Sequence, residues 1–278
     1  MPDPGLRLAE IRQFAARHPW HRGDPGPRPA AVDLGGWLPE PVSDQGLLPL
    51  CTAAVTAALA RYWAARLAGV DFTPSLLFTY RMSRRLAGRP DRVGSTLAHS
   101  LAAWREFGLL PERQWPFRPD RVDVDPPAEA LAAAARYRRV RYGRLDGPHL
   151  APRAYLDHVR SCLAWGMPVS VEFPLGPSLV RSFGSGVVAV PAPDEPAVGR
   201  HVVLVTGYDD DFPTEDASPG AAPGALRFRN NWGTSWGRDG HGWLPYEFLL
   251  RGIARQSWLV VEAPWGGPHP EPPPAGRP

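Results

Sequence analysis

The hydrophobic period of this chain changes near Val140, and that change limits the folds open to it. Before it the spacing is helical. The Ala-rich run Cys51 to Ala68 places larger apolar or aromatic residues at Val55, Leu59, Tyr62, Trp63 and Leu67. A second helix is predicted after Thr73-Pro74, with Pro74 near its first turn, and a third from about Ser95 to Phe107, stopped by Gly108 as a C-terminal cap. After it short strands dominate: Arg139 to Leu145, Val169 to Phe173, Val187 to Val190, His201 to Tyr208, Leu226 to Asn230, Gly242 to Leu244 and Trp258 to Val261. A helix from Pro152 to Trp165, ending at Gly166, interrupts them. The expected class is α+β, with about 45–135 mainly helical, about 136–262 mainly β, and a substrate cleft between the halves.

The flanks read differently. Residues 1–31 form a Pro/Gly/Arg-rich leader, expected to be loosely attached, around one short amphipathic stretch, Leu6 to Ala16. Residues 263–278 are nearly all Pro, Gly and polar residues and are expected to be a disordered tail. Asp209-Asp210-Asp211 and Thr214 to Gly224 make a polar loop between two strands.

Several function classes are excluded. The 278 residues carry 31 basic and 28 acidic side chains, a net charge of +3, with no basic stripe interleaved with aromatics, so no nucleic-acid partner is expected. The densest basic run, Arg136 to Arg141, reads as an exposed strand edge or helix end. No stretch reaches the roughly 18 apolar residues of a membrane helix, and Met1 to Trp20 lacks the pattern of a signal peptide. Two cysteines, Cys51 and Cys162, argue against a disulfide scaffold and for a reducing, cytoplasmic setting. The histidines show no metal-ligand spacing, and no phosphate loop or dinucleotide fingerprint is present; neither a metal nor an organic cofactor is expected.

Three separated segments carry chemistry: Gln45 to Cys51, Gly199 to Val203, and Arg229 to Gly237. Cys51 opens a helix, where unpaired N–H groups and the dipole favour thiolate; a buried structural cysteine is the plainer reading of the position alone. Gln45 lies six residues earlier in a turn-like Asp44-Gln45-Gly46 and offers an amide donor to an oxyanion, unless it is a surface glutamine. His201 begins an apolar strand, as a base or as a core histidine. Asn230 ends the next strand, able to fix an imidazole tautomer or merely to turn the chain, with Trp232 able to cover that hydrogen bond. Cys162 reads as packing, and His241 as a turn residue away from the cleft.

Taken together, these residues resemble the papain-like family of cysteine peptidases, in particular its bacterial members. The Gln-Gly-x-x-x-x-Cys spacing is kept by Gln45-Gly46 and Cys51, the His strand by His201-Val202-Val203 through Gly207-Tyr208, and the Asn-Ser-Trp-Gly run by Asn230-Asn231-Trp232-Gly233-Thr234-Ser235-Trp236-Gly237. Gly94-Ser95-Thr96, Gly108 with Trp115-Pro116-Phe117, and Gly166-Met167-Pro168-Val169 add weaker support. The resemblance covers roughly 32–262. It implies a papain-like fold, with a helical left subdomain and a β-rich, barrel-like right one, and catalysis by Cys51, His201, Asn230 and Gln45, with Gly94, Ser95, Arg200 and Trp232 binding a peptide or protein substrate. The chain departs from the family at Leu48-Pro49-Leu50-Cys51-Thr52, where the first family cysteine is absent, Pro49 stands for a glycine and Thr52 for a bulky aromatic. Leu6 to Ala16 is too short for the family's inhibitory propeptide. Hydrolysis of peptide bonds through an acyl-thioester is the expected reaction. Release of the same acyl-enzyme by an amine (a ligase, macrocyclase or tailoring enzyme) and a non-catalytic peptide-binding module are the alternatives. Oligomeric state stays open.

Overall fold

The computed structural model describes residues 6–18, 27–147, 149–215, 217 and 220–265. In chain order its helices and strands are α1 (Leu8–Ala15), β1 (Ala31–Asp33), α2 (Cys51–Ala68), α3 (Leu76–Leu86), α4 (Leu97–Phe107), α5 (Ala128–Ala134), β2 (Arg141–Arg144), α6 (Pro152–Ala164), β3 (Val169–Leu175), α7 (Pro177–Arg181), β4 (Gly199–Asp209), β5 (Ala225–Arg229), β6 (His241–Pro245), α8 (Glu247–Leu250) and β7 (Arg255–Glu262). Helices fill the first half and an antiparallel sheet the second, so the structure has the α+β, papain-like organisation implied by the resemblance.

Helix α2 is the spine. Its alanines and its single core-facing row of Val55, Leu59, Tyr62 and Trp63 leave it buried nearly all round, as suits a helix packed on every side. Gly69, at φ +65°, ends it in the left-handed conformation that a residue without Cβ adopts freely. One side of α2 meets α3 and α4, forming a core that includes Ala53, Ala57, Leu77, Phe78 and Ala103. The other meets β4, and Leu59 and Trp63 join a larger core built on the sheet with Val169, Val171 and Leu204. Each large side chain sealed there contributes about 1.5–3 kcal/mol. Gly108 ends α4 at φ +88°, and a Cβ built there would lie 1.8 Å from the Ala134 carbonyl oxygen, so α5 closes directly on bare backbone.

The sheet runs β2-β7-β3-β4-β5-β6, with β1 added to β4. No pairing joins β2 to β6 among the described residues, so the barrel-like expectation is met by an open ladder. The eleven-residue β4 is its centre, pairing with β1, β3 and β5. Val187 to Val190 forms no strand. Val187 makes a single bridge to Trp243, and its neighbours follow loop geometry.

The N-terminal segment is not a loose leader where it is described. Ile11, Phe14 and Ala15 of α1 are buried in the main core, and α1 lies against α6 and β7. Leu6 occupies the space a side chain on Gly143 would need: a Cβ there would fall 2.3 Å from the Leu6 Cγ. Arg28 pairs with Asp157 at 3.0 Å, the Tyr208 hydroxyl donates to the Pro29 carbonyl at 2.6 Å, and Ala31 opens β1. The amphipathic stretch was visible in the sequence; the apolar sheet face that receives it was not. At the other end, Ala263 is buried and the Trp265 ring meets those of Phe72, Trp104 and Tyr137 at 5.1, 6.4 and 5.9 Å. The remainder of the expected tail, 266–278, lies outside the described residues.

Candidate active site

Cys51 is the first residue of α2, with Leu50 before it as the cap. The chain reaches it through a compact loop. The Gly46 N–H donates to the Asp44 carboxylate at 2.8 Å, Gly46 takes φ +58°, and the Leu48 N–H donates to the Gln45 carbonyl at 3.3 Å. Pro49, which has no N–H, is spanned by a Leu50 N–H to Leu48 carbonyl bond of 2.8 Å. At this end of α2 the backbone N–H groups have no intrahelical acceptor and face outward. Thr52 is buried, and its carbonyl accepts from the hydroxyls of Thr56 at 2.9 Å and Ser100 at 3.3 Å, so a small polar group links α2 and α4.

His201 is the third residue of β4 and is 2% exposed. Its Nε2 lies 2.8 Å from the Asn230 Oδ1, and the same oxygen accepts the Asn231 backbone N–H at 2.9 Å. An oxygen has only lone pairs to offer, so Nε2 carries the imidazole proton and Nδ1 is left as the basic nitrogen. The Trp232 ring lies 4.6 Å from the imidazole centroid, and Phe173 meets it edge-on at 6.0 Å. Trp232 thus covers the imidazole, as the sequence suggested. The next residue along the strand, Val202, gives a backbone hydrogen bond to the Cys51 thiol, which brings the two segments together. The carbonyl of Val202 in turn accepts from the Asn231 Nδ2 at 2.9 Å.

Burial controls the charges. It raises the Cys51 thiol above its ordinary 9.0; backbone bonds from Val202 and Thr52 pull the other way, and the Glu172 carboxylate adds to the rise. Burial also lowers His201 from 6.5 to about 4, against an opposing contribution from the Asn230 hydrogen bond. Burial therefore favours the neutral form of each group, thiol and imidazole.

The remaining candidates divide. Gln45 is buried, its backbone N–H donates to the Asn231 carbonyl at 3.0 Å, and its Nε2 donates to the Leu48 carbonyl at 2.7 Å. One of its two amide hydrogens is thus committed within the loop at rest, and the other is left for a ligand. Gly94 and Ser95 precede α4; the Gly94 N–H donates to the Tyr80 hydroxyl at 2.7 Å, and no hydrogen bond joins either residue to Cys51 or His201 among the described residues. Arg200, immediately before His201, forms an ion pair with Glu172. Cys162 is fully buried in the main core and free, as packing requires.

One contributor escaped the sequence reading. Arg229 heads the third segment without an assigned role, yet it is 3% exposed and donates to the carbonyls of Pro39 at 2.9 Å and Pro41 at 2.8 Å and to the Glu40 carboxylate at 3.2 Å. It fastens the strap that leads into Gln45. His241, expected in a turn, instead opens β6 and lines a cavity of about 700 Å³ with Glu40, Pro41, Arg227, Arg238 and Trp243; none of the candidate site residues lines it. Among the described residues no group of three His, Cys, Asp or Glu is placed to hold a metal, and no helix is long and apolar enough to cross a membrane.

No family model matches the chain. It is 27% identical over 233 residues to an uncharacterised peptidase C1-like protein, L477, of Acanthamoeba polyphaga mimivirus, a span covering 81% of this chain and 71% of that relative. It superposes on xylellain, a cysteine protease from Xylella fastidiosa, with a TM-score of 0.71 and 26% identity, covering 93% of this chain and 94% of the other. It superposes on the Carica candamarcensis cysteine protease CMS1MS2 with a TM-score of 0.59 and 18% identity, covering 84% and 98%; that likeness is one of fold.

Proposed function

We propose that the chain is a papain-like cysteine peptidase in which Cys51, His201 and Asn230 perform peptide-bond hydrolysis. His201 Nδ1 takes the thiol proton as Cys51 Sγ attacks the scissile carbonyl carbon. The carbonyl π electrons move onto oxygen, and that oxyanion receives the Cys51 backbone N–H and the free amide hydrogen of Gln45. Collapse breaks the C–N bond, His201 gives its proton to the departing amine, and a thioester to Cys51 remains. Water, deprotonated by His201, attacks the thioester and releases the acid and the thiol. Because burial favours the neutral form of both groups, the charge pair develops along this path.

The observation that carries the reading is the Asn230 Oδ1, which accepts from both His201 Nε2 and the Asn231 N–H and so leaves Nδ1 free to act as base. Mass spectrometry after treatment with a thiol-directed epoxide tests it. Preferential modification of Cys51, together with peptide cleavage that disappears in Cys51→Ala, is expected; absence of both sinks the proposal. Product mass separates hydrolysis from amine release, since only hydrolysis adds the mass of water.

A further inference from the structure

The cavity of about 700 Å³ beside His241 takes no part in the hydrolytic steps. Its floor is the outer face of the β5–β6 ribbon. The register pairs Arg229 with His241 and Arg227 with Trp243. Paired residues share a face, as do residues two apart on a strand, so these four side chains stand together. The other face, with Leu226, Phe228 and Leu244, is buried in the core. Asp239-Gly240, both at positive φ (52° and 81°), form the two-residue turn that precedes β6. Across it Arg238 and His241 exchange both backbone hydrogen bonds, at 3.0 and 2.9 Å. Arg238 therefore joins the same face, and a row of Arg229, His241 and Arg238 runs beside Arg227 and Trp243.

Not all of these donors are spent. Arg229 is committed to Glu40 and to the Pro39 and Pro41 carbonyls. Arg227 meets Asp33 through one terminal nitrogen, which leaves its other nitrogens open to a ligand. Arg238 is exposed, and among the described residues its guanidinium has no ion pair or hydrogen bond. His241 donates Nδ1–H to the Asp239 carbonyl at 3.0 Å and keeps Nε2 for a ligand; Thr234 adds a hydroxyl to the lining. Burial lowers the pKa of His241, and the charges of Arg229 and Arg227 lower it further, with Glu40 opposing them less, so the field at the ring is positive. Of the two carboxylates on the lining, Glu40 is matched by Arg229, while Asp239 is exposed and unpaired among the described residues. Two guanidiniums and a hydroxyl suit three tetrahedral oxygens better than the two coplanar oxygens of a carboxylate. Trp243, stacked on Phe212 at 4.2 Å, and Pro41 give the same cavity an apolar wall. We propose that this cavity binds a phosphomonoester carried on a flat apolar body, with the phosphate held by Arg227 and Arg238 and the body laid against Trp243. The lining shares no side chain with Cys51, His201, Asn230 or Gln45, so the proposal is independent of the peptidase reading.

Calorimetric titration of the full chain with phenyl phosphate, in a buffer free of phosphate, tests this. One saturable site is expected, with inorganic phosphate, benzoate and phenol each at least about tenfold weaker. Arg238→Gln and Arg227→Gln are each expected to weaken phenyl phosphate at least about tenfold. Trp243→Leu should reduce it to the affinity of inorganic phosphate, and Asp239→Asn should strengthen it by removing a like charge. Arg227 also pairs with Asp33, so denaturant midpoints verify the fold of each variant; Arg238, exposed beside the turn, is the variant that decides. Absence of saturable binding to wild type overturns the inference, as does unchanged affinity in folded Arg238→Gln. Inorganic phosphate binding as tightly as phenyl phosphate would mean an adventitious ion only, and tighter binding of benzoate would make this a carboxylate site; either result overturns it as well. Binding is expected to be equal in Cys51→Ala, so failure here and failure of the peptidase reading are read separately.

Discussion

The backbone N–H of Gln45 donates to the carbonyl of Asn231 at 3.0 Å, while the Asn231 side chain donates to the Val202 carbonyl at 2.9 Å. One residue thus joins the loop before Cys51 to the strand that bears His201. Asn231→Ala leaves the backbone bond possible but strips the donor from a buried carbonyl. A loss of about 1–3 kcal/mol in denaturant unfolding is expected, with kcat/KM reduced about tenfold or more as the two segments drift. Unchanged values of both would show that the side chain does not hold the segments in register.

Asn230 Oδ1 serves both the imidazole and the Asn231 N–H. Asn230→Ala removes the acceptor of His201 Nε2 and frees the ring to adopt the other tautomer. Peptide cleavage is expected to fall about 10–100-fold in kcat/KM as the imidazole and the Asn231 N–H both lose their acceptor, while the epoxide still finds Cys51. Full activity in this variant would detach Asn230 from the mechanism.

Acid should weaken the fold through His201. The native state holds this histidine at about 4, whereas the unfolded chain takes up its proton near 6.5. Above 6.5 neither state binds the proton and the group has no effect. As pH falls from 6.5 towards 4 the unfolded chain is increasingly favoured, by up to about 3 kcal/mol, and below 4 the penalty levels off. Comparing denaturant midpoints of wild type and His201→Phe at pH 7 and pH 4 isolates this contribution. The variant should lose less stability across the interval; an identical loss in both would mean that His201 is not desolvated as described.

Arg229 clamps the strap ahead of Gln45. Arg229→Met preserves length and removes the donors to Pro39 and Pro41, with an expected cost of about 2–4 kcal/mol in unfolding free energy. Cleavage should decline as well, because Gln45 depends on the strap for its position. A cost below about 1 kcal/mol would show that Arg61, whose guanidinium reaches the Pro41 carbonyl at 3.2 Å, holds the strap unaided.

Gly108 tolerates no side chain. A Cβ 1.8 Å from the Ala134 carbonyl oxygen forces α5 away from α4, and φ +88° strains any L-residue. Gly108→Ala is expected to destabilise the chain by about 3 kcal/mol or more in the same assay, and a near-neutral result would mean that α5 is free to move.

What the sequence disclosed and what it hid follow from the range of each interaction. The spine helix was readable because its apolar spacing is local, and Cys51 at its head came with it. His201 was readable because it stands near the start of a strongly apolar strand, and Asn230 because it heads the Asn-Asn-Trp-Gly run. The docking of α1 was hidden, since it depends on Gly143, far along the chain, leaving room for Leu6. Arg229 was hidden because a buried guanidinium and a solvated one are the same letter until the Pro39 and Pro41 carbonyls are folded onto it.

The bond between Gln45 and Asn231 has a consequence for biosynthesis. Their partners in the site come from opposite ends of the chain, so no early fragment contains a working centre. A nascent polypeptide carries its thiol from the start of α2 onward but lacks the proposed base until β4 is made, and lacks the residue proposed to orient that base until the chain has passed β5. A product truncated before β4 carries the thiol without the imidazole proposed to use it.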